Sequence, residues 1–191
     1  MTIIKTEHLK LRPLADSDAD VIAREVGNFN VSRNLARVPY PYSMAEALDF
    51  LDWVKSYDQR SLVCAVELNS EPGQLIGVIS YEFSTAEDVA ELGYWFAERH
   101  WGKGYGAQAA SAMVYHAFVN NSHARLVAAY HNDNPASARI LLNLGFKPIS
   151  HEKHYSKAQG IDVSSTKLSL TRDQWLKRFD FSQKSQNRPK L

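Results

Sequence analysis

The sequence predicts a mixed α/β fold, on three observations. Alternating runs such as Leu62, Cys64, Val66 and Leu68 have the period of a strand. Ala109, Ala110, Met113, Val114, Ala117 and Phe118 recur at helical spacing. The two kinds of segment interleave along the chain instead of forming separate blocks. Composition stays mixed from Lys5 to Phe179 without a linker or a repeat, so residues 1–179 read as one domain. Residues 180–191 are polar, hold Arg188-Pro189 and read as a flexible tail.

Each element follows from local signals. Leu9 and Leu11 alternate with Lys10 and Arg12 until Pro13 ends the strand, and Asp16, Ser17 and Asp18 offer caps for a helix to Val26. Ser43 and Glu46 form a capping box ahead of Ala47, Leu48, Leu51 and Val54. Residues 61–68 and 75–83 read as strands joined by a turn at Asn69-Ser70-Glu71-Pro72-Gly73, and residues 89–96 as another strand. A glycine cluster then leads into a helix over 107–119, ended by Asn120-Asn121, and residues 126–130 are again strand-like. Asn134 caps a helix that has Pro135 in its first turn and Gly145 at its end. Residues 146–155 and 162–170 read as a final strand pair, and Thr171 with Gln174 caps a short helix containing Trp175.

Bulk properties narrow the function. A chain of 191 residues buries a core without disulfides or a structural metal, and its single cysteine, Cys64, reads as a small buried hydrophobe. Lys and Arg total 22 against 21 Asp and Glu, so a charge of +1 gives no field to gather nucleic acid or an anionic membrane. The charged start and the lack of a run of ~20 apolar residues point to a cytoplasmic protein. Any anion is therefore bound locally.

The segment for that is residues 91–106, ELGYWFAERHWGKGYG, a strand passing through a glycine-rich loop into a helix. Glycines at 102, 104 and 106 let main chain approach a ligand, and the first amides of the helix lack internal partners at the positive end of its dipole. Arg99 and Lys103 add local positive charge, so a diphosphate is the natural guest. A tight turn without ligand is the plain alternative. The spacing excludes a P-loop, since Lys103 is followed by Gly104, and excludes the dinucleotide fingerprint, which needs Gly-x-Gly-x-x-Gly.

Arg99, Gly102 and Gly104 match Gln/Arg-x-x-Gly-x-Gly/Ala, and Asn134-Pro135-Ala136-Ser137 is followed by Leu144-Gly145-Phe146. Together they resemble motifs A and B of the GCN5-related N-acetyltransferase (GNAT) superfamily, in its RimJ/RimL-like ribosomal-protein branch. Leu9 to Leu14, Gly93-Tyr94-Trp95, and Gly160 with Asp162 ahead of Trp175 extend the likeness over most of the domain. The resemblance implies a twisted, largely antiparallel sheet whose fourth and fifth strands, 89–96 and 126–130, splay apart around acetyl-CoA. It implies a diphosphate held by amides of Gly102, Lys103, Gly104, Tyr105, Gly106 and Ala107, with Arg99 and Trp101 beside it. The pantetheine arm would run along main chain at Trp95 and Phe96, with Asn134 and Ser137 facing the arm and the thioester. Asn134 as a plain helix cap is equally compatible with the sequence.

The implied reaction is direct attack of an amine on the thioester, so Cys64 is not needed as a nucleophile. An amide of Trp95 or Phe96 would bind the oxyanion, and Ser137 would stand at the departing thiolate, with Tyr94 or Tyr105 as alternatives. Ser156 stands where relatives can carry a glutamate base; Glu91 is the substitute, as base or as a plain exposed strand carboxylate, with His100 and His154 as further candidates. His151 and His154 are three apart on a strand, which does not suit the zinc-protease spacing, so no metal is expected. The reading is an acetyl-CoA-dependent N-acetyltransferase acting on a primary amine, with no nucleic-acid or membrane partner, as a monomer or a homodimer. A protein N-terminal α-amine, a small amine (polyamine, amino acid or aminoglycoside) and a non-catalytic acyl-CoA sensor all stay open.

Overall fold

The computed structural model describes residues 2–57, 59–84 and 89–178, so the expected tail lies outside the described residues. Eight strands form one sheet: β1 (Ile4–Lys5), β2 (Leu9–Arg12), β3 (Leu62–Leu68), β4 (Glu71–Ser84), β5 (Val89–Phe96), β6 (Arg125–His131), β7 (Lys147–Ser156) and β8 (Ile161–Thr171). Their spatial order is β1-β2-β3-β4-β5-β6-β8-β7, antiparallel throughout except for the parallel pair β5–β6. The helices are α1 (Ala19–Val26), α2 (Phe29–Ser32), α3 (Met44–Lys55), α4 (Tyr105–Tyr115), α5 (Pro135–Leu144) and α6 (172–178).

Strand alternation divides the core between the two faces. Cys64, Val66, Ile79, Tyr81, Leu92 and Phe96 pack with Met113, Phe118 and Leu141 of the α4–α5 side. Val63, Ala65, Leu75 and Val78 pack with Ile22, Val26, Ala47 and Leu51 of the α1–α3 side. A sheet covered on both faces explains why β3 and β4 read as nearly continuous apolar runs. Cys64 is fully buried, and desolvation pushes its thiol up to about 12, which makes it an inert core residue.

Three of the expected caps are present, whereas Asp18 ahead of α1 makes no side-chain cap bond to that helix and accepts instead from Arg12 and Ala15 N. Ser43 and Glu46 form the capping box of α3, Asn134 and Gly145 bound α5, and Thr171 and Gln174 exchange backbone-to-side-chain hydrogen bonds of 3.1 and 3.3 Å at the start of α6. Several boundaries differ from expectation. The two-residue β1 is too short to carry a pattern, and it makes the splayed pair the fifth and sixth strands. The 69–73 turn is confined to Asn69-Ser70, because the Gly73 amide bonds to Glu67 Oε2 at 3.0 Å and draws Glu71 onward into β4 across register shifts. The glycine-loop helix starts at Tyr105, two residues early, and ends in a π turn at His116–Asn120. Leu48 points outward, and α2 was not legible.

Beneath the β3–β4 turn lies a buried charge cluster. Arg12 holds Asp18 bidentately at 2.8 Å and Glu67 at 2.9 Å, and Lys10 reaches the second oxygen of Glu67 at 2.7 Å. Burial opposes ionisation of Glu67, but its bonds to Lys10, Arg12 and Gly73 outweigh that and hold the carboxyl below the usual carboxylate range.

Candidate active site

Among the described residues the parallel strands β5 and β6 pair at Ala90–Leu126 and Glu91–Val127, then diverge. The hydrogen-bond pattern shows which backbone groups the divergence frees. Ala97 N donates to Ile76 O at 2.9 Å, and the β4–β5 register is unbroken, so odd-numbered β5 residues bond to β4 while the peptide groups of Tyr94 and Phe96 face the gap. Trp95 therefore leaves the expected set of main-chain contacts: its peptide groups belong to β4 and its ring to the α1–α3 side. The Phe96 carbonyl accepts the Trp101 indole N–H at 2.7 Å, which pins the start of the glycine loop to the strand.

Gly102 and Gly104 adopt φ of +74° and +82°, and a Cβ at either would meet nothing within 4 Å. Gly104 is the N-cap of α4 and provides no side chain to satisfy the first-turn amides, so the amides of Tyr105, Gly106 and Ala107 begin the helix uncapped. The arrangement is open, carries outward amides and suits an anion. Gly106 has a different reason to be glycine: its Cβ would come within 3.1 Å of Ile140 Cδ1 and 3.6 Å of the Phe96 ring, so it lets α4 seat closely against α5 and β5. Lys103 is exposed at the loop. Arg99 forms an ion pair with Glu25 of α1, a residue 74 positions earlier that also holds Arg24 at 3.0 Å.

Across the gap, the Tyr94 hydroxyl and Ser137 Oγ meet at 3.0 Å. Asn134 Oδ1 accepts the Ser137 amide at 3.1 Å, so the cap of α5 also orients the first turn that carries Ser137. Burial pushes Tyr94 up to about 12 against the opposing effect of the Ser137 hydrogen bond, so the phenol holds its proton at neutral pH and can donate it. Tyr105 is half-buried and packs against the core beside His100, with ring centroids 6.3 Å apart.

Glu91 lies on the other face, because residues 91 and 94 of a strand point to opposite sides. There a cavity of about 490 Å³ is lined by Arg37, Trp53, Tyr57, Ser61, Glu82, Phe83, Glu91, Val127 and Lys167, among others. Glu82 is the cross-strand neighbour of Glu91 and pairs with Arg37 at 3.1 Å, and the Arg37 guanidinium stands 5.3 Å from the Trp53 ring centre. Burial opposes the charge on Arg37, but Glu82 and then Glu91 outweigh it and raise the pKa. Burial, then the Glu82 charge, pushes the Tyr57 phenol far up. Apart from Glu91 none of these residues was marked as a site residue by the sequence, since they come together from α3 and the segment after it, β4, β6, β8 and the loop after α2. The position where relatives can carry a glutamate, Ser156, and the other base candidates, His100 and His154, are not among the residues lining the cavity. Ser156 is buried in the β7–β8 turn, where its hydroxyl accepts Gln159 N at 3.3 Å. His154 is paired with His131, and His100 sits by the glycine loop, where burial and then Arg99 and Lys103 lower its pKa.

The family model of the acetyltransferase (GNAT) domain matches residues 8–147. The chain belongs to the GNAT acetyltransferase family. Its relatives include an uncharacterized N-acetyltransferase, p20, of Bacillus licheniformis, 26% identical over 167 residues that cover 85% of this chain and 93% of the relative. The ribosomal-protein-serine acetyltransferase of Escherichia coli is 38% identical over 74 residues, covering 38% of this chain and 41% of that protein. Among solved structures, RimL, a ribosomal L7/L12 alpha-N-protein acetyltransferase in complex with coenzyme A, superposes with a TM-score of 0.74 at 20% identity, covering 89% of this chain and 98% of the other. This GNAT protein is thus an N-acetyltransferase by family, and GNAT enzymes use acetyl-CoA and an amine acceptor. Among the described residues no group of three or more His, Cys, Asp or Glu is placed to hold a metal, and no helix is long and apolar enough to cross a membrane.

Proposed function

We propose that this GNAT enzyme acetylates the free α-amine at the N-terminus of a polypeptide, with acetyl-CoA seated between β5 and β6. The diphosphate lies against Gly102, Gly104 and the amides of residues 105–107, and the arm runs past Tyr94, Phe96 and Asn134. Bound acetyl-CoA supplies the thioester that the amine attacks and the thiolate that departs. The Phe96 amide points into the gap as an oxyanion donor. The Tyr94–Ser137 pair holds a proton on the α5 side for the leaving group, and Glu91, directly or through water, accepts one on the opposite side.

One observation carries the choice of acceptor: the cavity on the Glu91 face is of mixed charge. Arg37 and Lys167 offset Glu82 and Glu91, so it is not the acid-lined cleft a polycation would favour. Glu91 is also exposed, and no side chain among the described residues hydrogen-bonds to it. A weakly supported base suits an amine that is easily deprotonated: an α-amine of pKa ~8 needs about 1.4 kcal/mol at pH 7, a lysine near ~10.4 about 4.6 kcal/mol. The names of the serine-acetylating and RimL relatives agree with this acceptor class.

Thiol release from acetyl-CoA is to be followed with peptides bearing a free N-terminal serine or alanine, with an N-terminally blocked lysine peptide, and with a polyamine. The free N-termini are expected to react best, and Glu91→Gln is expected to lower kcat/KM by less than ~100-fold. Turnover of the blocked lysine peptide with none of the free N-termini would refute the acceptor. Absence of thiol release with every amine would favour an acyl-CoA sensor.

A further inference from the structure

The histidines of the 151–154 segment are not absorbed by the site. His151 Nδ1 lies 3.0 Å from Thr166 Oγ1, but His154 turns toward β6, with its Nε2 3.1 Å from Nε2 of the buried His131. Two ring nitrogens this close cannot both carry hydrogen. His131 Nδ1 is 3.0 Å from the Arg33 carbonyl oxygen, which only accepts, so the hydrogen of His131 is on Nδ1 and its Nε2 is an acceptor. His154 Nε2–H then donates to it, and His154 Nδ1 accepts from the Ser165 hydroxyl at 3.3 Å. With both rings neutral every donor meets an acceptor. Gln159 Nε2 donates to the same Arg33 carbonyl at 2.9 Å, so the end of α2, the end of β6 and the β7–β8 hairpin are tied at one point.

That point is next to the chemistry. The His131 carbonyl accepts the Asn134 amide at 2.8 Å, Asn132 is held by Ser164 O at 2.9 Å and Thr166 Oγ1 at 2.8 Å, and Asp133 pairs with Arg33 at 2.6 Å. Asn134 in turn orients the first turn of α5 and Ser137. We infer that the His131–His154 pair is a proton-sensitive brace that positions Asn134 and Ser137 for acetyl transfer. The inference rests on the proposed role of Ser137 only in its effect on activity.

The pair can take one proton and survive: His154 Nδ1 gains it, the Ser165 hydroxyl turns to accept, and the Nε2–Nε2 bond becomes charge-assisted. A second proton must sit on His131 Nε2, against the N–H of a cationic His154, and breaks the brace. Burial opposes a charge on His131 first, followed by His154. Arg33 contributes in both directions, its carbonyl favouring the charge and its guanidinium opposing it, and Asp133 favours it. Glu152, two residues before His154 on the same face, accepts from Ser150 at 2.6 Å. The net effect holds His131 below its ordinary value. The folded state therefore prefers a neutral His131: the brace is intact with no proton or one proton bound, and it is lost as pH falls from about 6.5 through the lowered folded value of His131.

Two measurements test this on the full chain. Long-range ¹H–¹⁵N spectra of the histidine rings at pH 7.5 are expected to show the Nδ1–H form of His131 and the Nε2–H form of His154; an Nε2–H form of His131 overturns the brace. In parallel, kcat with a free N-terminal serine peptide is compared between wild type and His154→Gln, whose side-chain amide still donates toward His131 but does not titrate. The ratio cancels titration of the amine, and it is expected to hold steady from pH 7.5 to about 6.5 and to decline below that in wild type relative to the variant, as His131 takes up the second proton. A ratio independent of pH, with both rings titrating separately near ~6.5, overturns the inference. Should the peptide not react at all, the proposed acceptor fails and the ring spectra, which need none, still decide the brace.

Discussion

Replacing Gly104 with alanine separates the binding role of the loop from its packing role. The glycine has φ +82° with open space around the absent Cβ, so the substitution meets no clash and costs only the strain of a left-handed L-residue, about 1–2 kcal/mol. For a chain of 191 residues that corresponds to a melting point lower by roughly 2–8 °C. The ligand is affected separately, because the new methyl occupies space that a diphosphate would need to reach the uncapped amides. Loss of one charge-assisted hydrogen bond, about 1.5–3 kcal/mol, weakens CoA binding roughly 10- to 150-fold. Gly106→Ala is the control. Its Cβ would press on the flexible tip of Ile140 at 3.1 Å, and a helix-propensity gain of up to ~1 kcal/mol offsets much of that, so its CoA affinity should stay within about threefold of wild type. Calorimetric titration with CoA, with melting curves of the free proteins, reads both effects. Wild-type CoA affinity in Gly104→Ala would refute the assignment of the loop.

Ser137→Ala and Tyr94→Phe are each expected to lower kcat more than they raise KM for acetyl-CoA, and because the two hydroxyls lie 3.0 Å apart, the double variant should lose less than the product of the single effects; multiplicative losses in steady-state kinetics would mean that the pair does not act as a unit. Glu67→Gln is expected to destabilise the fold by about 2 kcal/mol at pH 7, since it leaves Lys10 without its buried counter-charge and Arg12 with Asp18 alone. The Glu67 pKa is lowered in the fold, so its stabilisation is present above about pH 4.3 and is lost as pH falls through the folded value; urea unfolding at pH 7 and pH 2.5 should show the gap between wild type and variant closing.

The elements were legible where a local signal sets them. Capping residues at Ser43, Asn134 and Thr171 fixed helix starts, and apolar runs buried on both faces marked β3 to β5. The glycines at 102 and 104 were legible because a positive φ leaves few other residues suitable. Sequence could not show that Arg99 would be taken by Glu25, because such a contact depends on how α1 lies against the strand end. Nor could it choose between the amides of Trp95 and Phe96: strand registry decides that, and a shift of one residue reverses the answer. The Glu91 cavity was hidden for the same reason as the histidine brace. Arg37, Trp53 and Glu82, like His131 and His154, meet only after distant elements pack, and none has a spacing that marks it.

Between β5 and β6 the sheet is joined, among the described residues, by two residue pairs, which places a strand edge in the interior of the molecule. An open edge on a protein surface invites any extended chain and carries a risk of aggregation. Here α4 and α5 cover one face, Ser137 stands against Tyr94 across the opening, and Trp101 already occupies the outermost carbonyl. What can pair with the free groups of Tyr94 and Phe96 is restricted to something one strand wide, arriving from the open end. An extended polypeptide would have to seat half of its side chains on the face that α4 and α5 cover. The same break that weakens the sheet as a continuous ladder leaves backbone donors inside the fold, where covering helices stand in place of the charged or proline-bearing residues that exposed edges use.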